Sequence, residues 1–138
     1  MSNTSLSVAL VSVSNPQKNY AQNKDLNGGF GTADDYQGSL SALLVRSVKK
    51  NAVRLPIIGL AYIQAILKQQ GHHVKYLENT LPLPTDKFDL ILLHGSIVDY
   101  KYENEVCRNI KSLFPSTKVG FYGDFPSTKP ELFNGGDF

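Results

Sequence analysis

The sequence predicts an α/β fold: a three-layer sandwich in which a mainly parallel sheet of four to five strands lies between helices. Short apolar runs alternate along the chain with stretches in which apolar residues recur every three or four positions. The first and third runs are apolar at almost every position, as in strands buried on both faces of a parallel sheet. The order strand, helix, strand, strand, helix, strand fits right-handed crossovers within one such sheet.

Length and composition indicate a single domain over all 138 residues, with a long insertion at about residues 14–55. The formal net charge is +2 and the lysines are scattered, so we expect no nucleic-acid partner. No apolar run approaches the roughly 20 residues of a membrane span, and the first residues lack signal-peptide blocks, so we expect no membrane partner and a cytoplasmic location. Cys107 is the only cysteine, which excludes an intrachain disulfide.

The first predicted strand runs from Leu6 to Val13 and ends at the turn signal Ser14-Asn15-Pro16. The connection that follows, Ser14 to Leu55, is long for a compact domain. We interpret it as a surface loop, or alternatively as a flap over a ligand at the sheet edge. Its second part, Ser39 to Lys50, is predicted to be helical because four apolar residues share one face: Leu40, Leu43, Leu44 and Val48.

The next element is a predicted helix, with Pro56 suited to its first turn. Its apolar stripe is Leu60, Ile63 and Leu67. Gly71 is placed to take the left-handed conformation that ends many helices. His73 to Leu77 alternates as a second strand does.

The third predicted strand, Phe88 to Leu93, stops at His94-Gly95-Ser96. Asp99 can cap the helix that follows. The apolar stripe of that helix is Tyr102, Val106, Ile110 and Leu113. Cys107 is expected to lie near this stripe as a small apolar side chain, not as a nucleophile.

The fourth predicted strand is Lys118 to Tyr122, which closes at Gly123-Asp124. A short helix is expected around Lys129 to Phe133. The final residues, 134–138, look like the approach to a fifth strand that is cut short.

Ligands of parallel α/β sheets bind beyond the carboxyl ends of the strands, at the switch in strand order. The loops at that edge are predicted to be Ser14 to Lys18, His94 to Asp99, and Gly123 to Ser127. A phosphorylated receiver domain is excluded, because the third strand ends in His94-Gly95 where an aspartate is required. A flavodoxin-like phosphate loop is poorly matched, because Pro16 stands where a backbone N–H donor is wanted.

Two other groups of residues match a catalytic triad or a metal site only in part. His94, Ser96 and Asp99 are the residue types of a hydrolytic triad, but Ser96 lies outside a Gly-x-Ser-x-Gly elbow. His72 and His73 follow a helix carboxyl end, where histidine is favoured by the helix dipole, and no third ligand is spaced to make a metal site.

The segment Pro56 to Ile63 reads PIIGLAYI, and Gly71 to Val74 reads GHHV. Together they resemble the pattern P-x-x-Gly-Leu-Ala-Tyr-Leu … Gly-His-x-Val of the N-terminal cobalamin-binding domain of cobalamin-dependent radical SAM enzymes. Weaker likenesses continue toward the end of the chain: Phe88 to Ile91, Gly95-Ser96, Val119 to Gly123, Phe125 to Ser127, Pro130-Glu131 and Gly136 to Phe138.

The resemblance implies a Rossmann-like (flavodoxin-like) sheet that holds the corrin over its carboxyl edge, with the nucleotide tail between the loops. Ser96 would contact the tail, and Gly123 would let the backbone pass close to it. The family usually has a second glycine where this chain has Asp124, and a larger apolar residue where it has Val98. The cofactor-binding residues implied are Ser14, Asn15, His94, Gly95, Ser96, Ile97, Val98, Gly123, Asp124 and Phe125.

The resemblance also bounds the cofactor chemistry. Ser14 to Asn19 contains no histidine, so cobalamin would bind base-off without a lower axial histidine from that loop. The three-cysteine motif of a radical SAM domain is absent, so S-adenosylmethionine and a 4Fe–4S cluster would belong to a missing C-terminal domain. We therefore expect an excised or stand-alone module without its own turnover, whose partners are cobalamin and a radical SAM domain in cis or in trans.

Two alternatives stay open. The chain is alternatively a degenerate Rossmann-like interaction module that has lost its cofactor, and Asp124 favours this interpretation because its carboxylate would repel a phosphodiester tail. A small enzyme acting on a nucleotide-sugar at the same edge is a weaker candidate, since no constellation of residues supports it.

Overall fold

The computed structural model describes residues 5–17, 39–41, 43–44, 47–48, 57–82 and 85–138. The chain divides into two compact units. One unit comprises Met1–Val13 and Gly59–Phe138, and the other comprises Ser14–Ile58.

The larger unit is built on a four-stranded sheet in which every pairing of the described strands is parallel. Its strands are β1 (Ser7–Ser12), β2 (His73–Glu78), β3 (Leu90–His94) and β4 (Lys118–Tyr122). They lie in the order β2-β1-β3-β4, so the direction of winding reverses between β1 and β3. The predicted α/β class and Rossmann-like arrangement are thereby confirmed, and each predicted strand agrees with its observed bounds to within two residues.

Helices connect the strands and follow the last one. Their bounds are α1 (Ile58–Gln69), α2 (Tyr100–Leu113), α3 (Asp124–Thr128) and a 3-10 helix (Pro130–Leu132). From β1 the chain crosses by α1 to one side of the sheet, and from β3 it crosses by α2 to the other side. Because such crossovers are right-handed, α1 and α2 cover opposite faces of the sheet.

The burial pattern agrees with two covered faces. β1 is buried on both sides, since alternate residues of a strand point to opposite faces and Val8, Ala9, Leu10 and Val11 are all fully buried. One face forms a single cluster with α2, contributed by Ala9, Val11, Ile91, Leu93, Val106, Cys107, Ile110 and Val119. On α1 the buried side chain is Leu60, which lies outside that cluster.

The end of α1 is closed by a Schellman motif, in which Gly71 has the predicted left-handed conformation. Gly71 has φ of 86°, its N–H donates to the Lys68 carbonyl at 3.0 Å, and the His72 N–H donates to the Leu67 carbonyl at 3.0 Å. Of the predicted stripe, Leu60 is buried whereas Ile63 and Leu67 are half-buried. Pro56 lies outside the described residues.

In α2 the expected stripe is only partly correct. Val106 and Ile110 are buried, but Leu113 is 54% exposed, and Glu103 is fully buried instead. Asp99 occupies the N-cap position, yet its side chain makes no capping hydrogen bond. The helix α3 was not predicted, and the short helix expected near Lys129 is the 3-10 helix.

The last residues lie along the open edge of β4. The Asp137 N–H donates to the Val119 carbonyl at 2.6 Å, and the Phe121 N–H donates to the Phe138 carbonyl at 3.2 Å. The Asp137 carboxylate accepts hydrogen bonds from the Val119 N–H at 2.9 Å and from the Lys111 ammonium. The segment that resembles the approach to a fifth strand therefore pairs with the edge where such a strand would add.

In the smaller unit, the described residues between 40 and 48 are helical, and the Leu43 N–H donates to the Ser39 carbonyl at 3.1 Å. This agrees with the helix predicted there, whose apolar side chains at Leu40, Leu43, Leu44 and Val48 are exposed. Of the rest of the predicted loop or flap, residues 14–17 are described, whereas residues 18–38 and 49–55 fall outside the described residues.

Candidate functional site

The predicted site begins where β3 ends. His94 is 8% exposed, and its ring lies against that of Tyr122 with centroids 5.2 Å apart and planes inclined by 47°. The Gly95 N–H donates to the Tyr122 carbonyl at 2.9 Å, which continues the β3–β4 ladder by one residue. The ends of these two strands are thus held together by both backbone and ring contacts.

Gly95 is buried because the chain itself fills the space beside it. A Cβ atom at this position would lie 2.3 Å from Cγ of Pro126 and 2.7 Å from Cε1 of Phe133. Real Cβ atoms do not approach carbon so closely, so glycine is required here for packing. The space that a ligand tail would need at Gly95 is occupied by Pro126 of α3 and by Phe133, which follows the 3-10 helix.

Ser96 is 4% exposed, and its polar groups are bonded to a buried carboxylate. Its N–H donates to Oε2 of Glu103 at 2.8 Å, and its hydroxyl donates to Oε1 at 2.7 Å. The Asp99 N–H in turn donates to the Ser96 hydroxyl at 3.2 Å. Glu103 therefore satisfies N–H and O–H groups just before α2, as acidic residues in a first helical turn commonly do.

Sequence reasoning missed Glu103, although a signal was present. Glu103 precedes Cys107 by four positions and Ile110 by seven, so all three lie on one face of α2. A carboxylate on a buried stripe must accept hydrogen bonds from nearby groups, because a buried carboxylate without them costs on the order of a few kcal/mol. The donors come from Ser96, the residue that the resemblance assigns to the cofactor tail.

Gly123 follows β4 and supplies the second close approach. Its φ is 123°, a conformation that residues with side chains rarely adopt, and a Cβ there would lie 3.2 Å from the Gly95 oxygen and from Cδ2 of His94. Asp124, the first residue of α3, is exposed. The half-buried Phe125 contacts Tyr100 with ring centroids 6.2 Å apart.

Two further residues of the β3–α2 loop complete this edge. Ile97 is 68% exposed and Val98 is half-buried. The structure thus brings together His94–Val98 and Gly123–Phe125 at the carboxyl ends of β3 and β4. Ser14 and Asn15 belong to the smaller unit, where the Asn15 carboxamide oxygen accepts a hydrogen bond from the Gln17 N–H at 2.9 Å.

Reactive groups are scarce in the part of the chain that the structure describes. Burial raises the pKa of the Cys107 thiol to about 11, so this side chain stays a neutral core thiol, as expected. Across residues 5–17, 57–82, 85–138 and the described parts of 39–48, no three His, Cys, Asp or Glu side chains converge as metal ligands would. The same residues include no helix with the length and apolarity needed to cross a membrane.

Comparison with known proteins yields no match, whether with family models, curated proteins or solved structures. The resemblance to cobalamin-binding domains therefore stays a prediction from the quoted segments.

Proposed function

We propose that the protein is a cobalamin-binding module of the kind found at the N-terminus of cobalamin-dependent radical SAM enzymes. The observation that carries the proposal is the strand order β2-β1-β3-β4, which puts the switch point between β1 and β3. The loop that begins at His94 follows the carboxyl end of one strand at that switch, where ligands of such sheets bind. The segments Pro56 to Ile63 and Gly71 to Val74 add the family likeness.

The residues at this edge fit the cofactor in part. Ile97, exposed for 68% of its surface, is an apolar side chain that a corrin could cover, and the backbone at Gly123 carries no side chain. Gly95 and the Ser96 hydroxyl do not fit a role in direct contact, because Pro126 and Glu103 already engage them. A tail at this edge would therefore contact Ile97 and the outer surface of the 123–125 turn.

In this proposal the chain holds the cofactor and has no turnover of its own. Cobalamin supplies methyl-transfer or radical chemistry when bound, and S-adenosylmethionine and a 4Fe–4S cluster belong to a radical SAM domain acting in cis or in trans. Cobalamin would be held base-off, because residues 14–19 of the first loop contain no histidine to serve as a lower ligand. The proposed location is the cytoplasm.

The test is addition of hydroxocobalamin or methylcobalamin, followed by the visible spectrum and co-elution on gel filtration. A spectral shift with stoichiometric co-elution supports the proposal, and an unchanged spectrum at tens of micromolar protein and ligand rejects it for this chain. The variant Ile97→Asp should abolish binding without unfolding the protein, since its side chain is exposed. Ile66→Asp, at a 54% exposed position on α1, is the matched control and should bind as the wild type does.

A second candidate is a Rossmann-like interaction module that has lost the cofactor. It is favoured by the filled space beside Gly95 and by the exposed carboxylate of Asp124, which would repel a phosphodiester. The variant Asp124→Gly separates the two candidates. Binding that appears only in the variant assigns the wild-type chain to the second class, whereas equal binding by both proteins assigns it to the first.

A further inference from the structure

A pocket of about 690 Å³ opens at the amino end of the sheet, opposite the edge discussed above. Ser7 and His73, which begin β1 and β2, contribute to its wall, as does Phe88 just before β3. Its volume is that of sites that hold small molecules. The lining residues that the structure describes lie in the larger unit.

The pocket has an excess of positive charge. Among the described lining residues, three are lysines, Lys68, Lys75 and Lys87, and one is acidic, Asp86. Asp86 pairs with Lys75, with Oδ1 at 3.3 Å from Nζ. Among the ion pairs of the described residues, none involves Lys68 or Lys87. Two exposed ammonium groups at this pocket are therefore outside the ion pairs of the described residues. The Asp89 carboxylate lies beside the pocket wall, where its Oδ2 accepts the Ser7 N–H at 2.7 Å.

His72 adds a hydrogen-bond donor that the fold holds in one orientation. Its Nδ1 accepts the Leu6 N–H at 3.2 Å, so in the neutral ring the proton is on Nε2, which is a donor. The Schellman motif at Gly71 fixes the backbone at this point. The ring of Phe88 also lines the pocket, with the Lys75 ammonium 6.0 Å from its centroid.

The carboxyl end of α1 lies at this pocket, and free carbonyls there would repel an anion. Three of these carbonyls are already bonded within the fold. The Leu67 and Lys68 carbonyls accept from the His72 and Gly71 N–H groups, and the Gly71 carbonyl accepts from the Ser5 hydroxyl at 2.7 Å. These bonds reduce the negative potential that the end of α1 contributes to the pocket.

We propose that this pocket binds a small polyanion, a molecule that carries two or more phosphate or carboxylate groups. Lys68 and Lys87 contact its anionic oxygens, the His72 Nε2–H donates to it, and the Phe88 ring forms an apolar wall. Lysine binds such groups as a point charge with three donors, which suits phosphate and carboxylate alike. The site goes beyond the proposed function because it lies at the other end of the sheet and shares no residue with the cobalamin edge.

The experiment is an NMR titration of the full chain, uniformly labelled with nitrogen-15, at about 50 mM ionic strength, where screening of surface charge is weak. Pyrophosphate is the phosphate probe and citrate is the carboxylate probe. We expect saturable amide shifts confined to residues 68–75 and 86–88. Binding of both probes assigns a general polyanion site, and binding of one probe names its chemistry.

The double variant Lys68→Gln/Lys87→Gln should raise the dissociation constant about tenfold or more, since it removes two charge-assisted contacts. The control is Lys101→Gln/Lys129→Gln, which removes the same charge from lysines outside the pocket and should leave the constant within about twofold. Equal weakening by the two double variants, or shifts spread over all lysine-bearing surfaces, would show only general charge attraction and overturn the proposal. The proposal is also overturned if neither pyrophosphate nor citrate saturates the site at about 10 mM.

Discussion

The two ends of the parallel sheet differ in how much space their side chains leave for a ligand. At the carboxyl ends of β3 and β4, buried side chains fill the space beside Gly95 and bond the polar groups of Ser96. At the amino end, exposed lysines and a half-buried histidine surround an open pocket of about 690 Å³. The fold class points to the carboxyl edge as the ligand site, whereas the side chains favour small-molecule access at the amino edge. Position in a fold thus locates a candidate edge, and the side chains decide whether that edge is open.

The largest effect that can test this contrast is at Gly95. Gly95→Ala should lower the free energy of unfolding by about 3 kcal/mol, because the new methyl group overlaps Pro126 and Phe133 and the site is already filled. Urea denaturation monitored by circular dichroism measures the change.

Gly59→Ala is the matched control, since a Cβ there would have no atom within 4 Å apart from its chain neighbours and its own helix backbone. Gly59 is the second residue of α1. The substitution should raise the free energy of unfolding by up to about 1 kcal/mol, because alanine has a higher helix propensity than glycine. Equal effects of the two substitutions would mean that the carboxyl edge is open, and the contrast between the two ends would fail.

The next effect concerns Ser96 and its buried carboxylate. Ser96→Ala removes the hydroxyl donor to Glu103 and should cost about 2 kcal/mol of unfolding free energy, the usual penalty for depriving a buried polar group of a partner. Ser116→Ala removes an exposed hydroxyl in a turn and should change stability by less than about 0.5 kcal/mol. If the Ser96 variant is as stable as the Ser116 variant, the Ser96 hydroxyl is not engaged by Glu103 and is available to a ligand.

A third prediction concerns the tail that covers the edge of β4. The hydrogen bond from Lys111, and then that from the Val119 N–H, lower the pKa of Asp137 below the ordinary 3.8. Because the folded pKa is depressed, this carboxylate stabilises the fold above pH 3.8, and the contribution is lost as pH falls through the folded value. Asp137→Asn should therefore melt at a lower temperature than the wild type at pH 7.

The two melting temperatures should converge as the pH is lowered below 3.8, the ordinary pKa. Thermal melts of both proteins in a pH series check this convergence. A constant difference across the series would mean that Asp137 acts through its shape and not through its charge.

The sheet was predicted well from the sequence, because a strand that is buried on both faces is apolar at nearly every position. The runs around Val8–Val11 and Ile91–Leu93 are apolar on both faces, and Gly71 is the residue that a left-handed helix end requires. The site was predicted less well, because which side chains fill an edge depends on contacts between distant segments. Gly95 and Pro126 are far apart in sequence, and no local pattern says that a proline ring will lie beside that glycine.

Glu103 shows the same limit in a different form. Its place on the buried face of α2 could be read from spacing, but its partner Ser96 lies before the helix, in a loop whose path the sequence does not reveal. A serine after a strand looks the same in sequence whether its hydroxyl faces a ligand or a buried carboxylate. The pocket at the amino end was missed for a related reason, since Lys68 and Lys87 come together only when β1 pairs with both β2 and β3.

The smallest expected effect is at that amino end, where the lysines should matter little for stability. Lys68→Gln/Lys87→Gln should change the free energy of unfolding by less than about 0.5 kcal/mol, because both side chains are exposed and relief of repulsion offsets the lost attraction to the carboxyl end of α1. Salt screens the repulsion, so added sodium chloride should stabilise the wild type by a few tenths of a kcal/mol more than the double variant. Urea midpoints at low and high salt measure this difference. A loss of stability comparable to that of Ser96→Ala would instead give the lysines a structural role and make the two ends of the sheet alike.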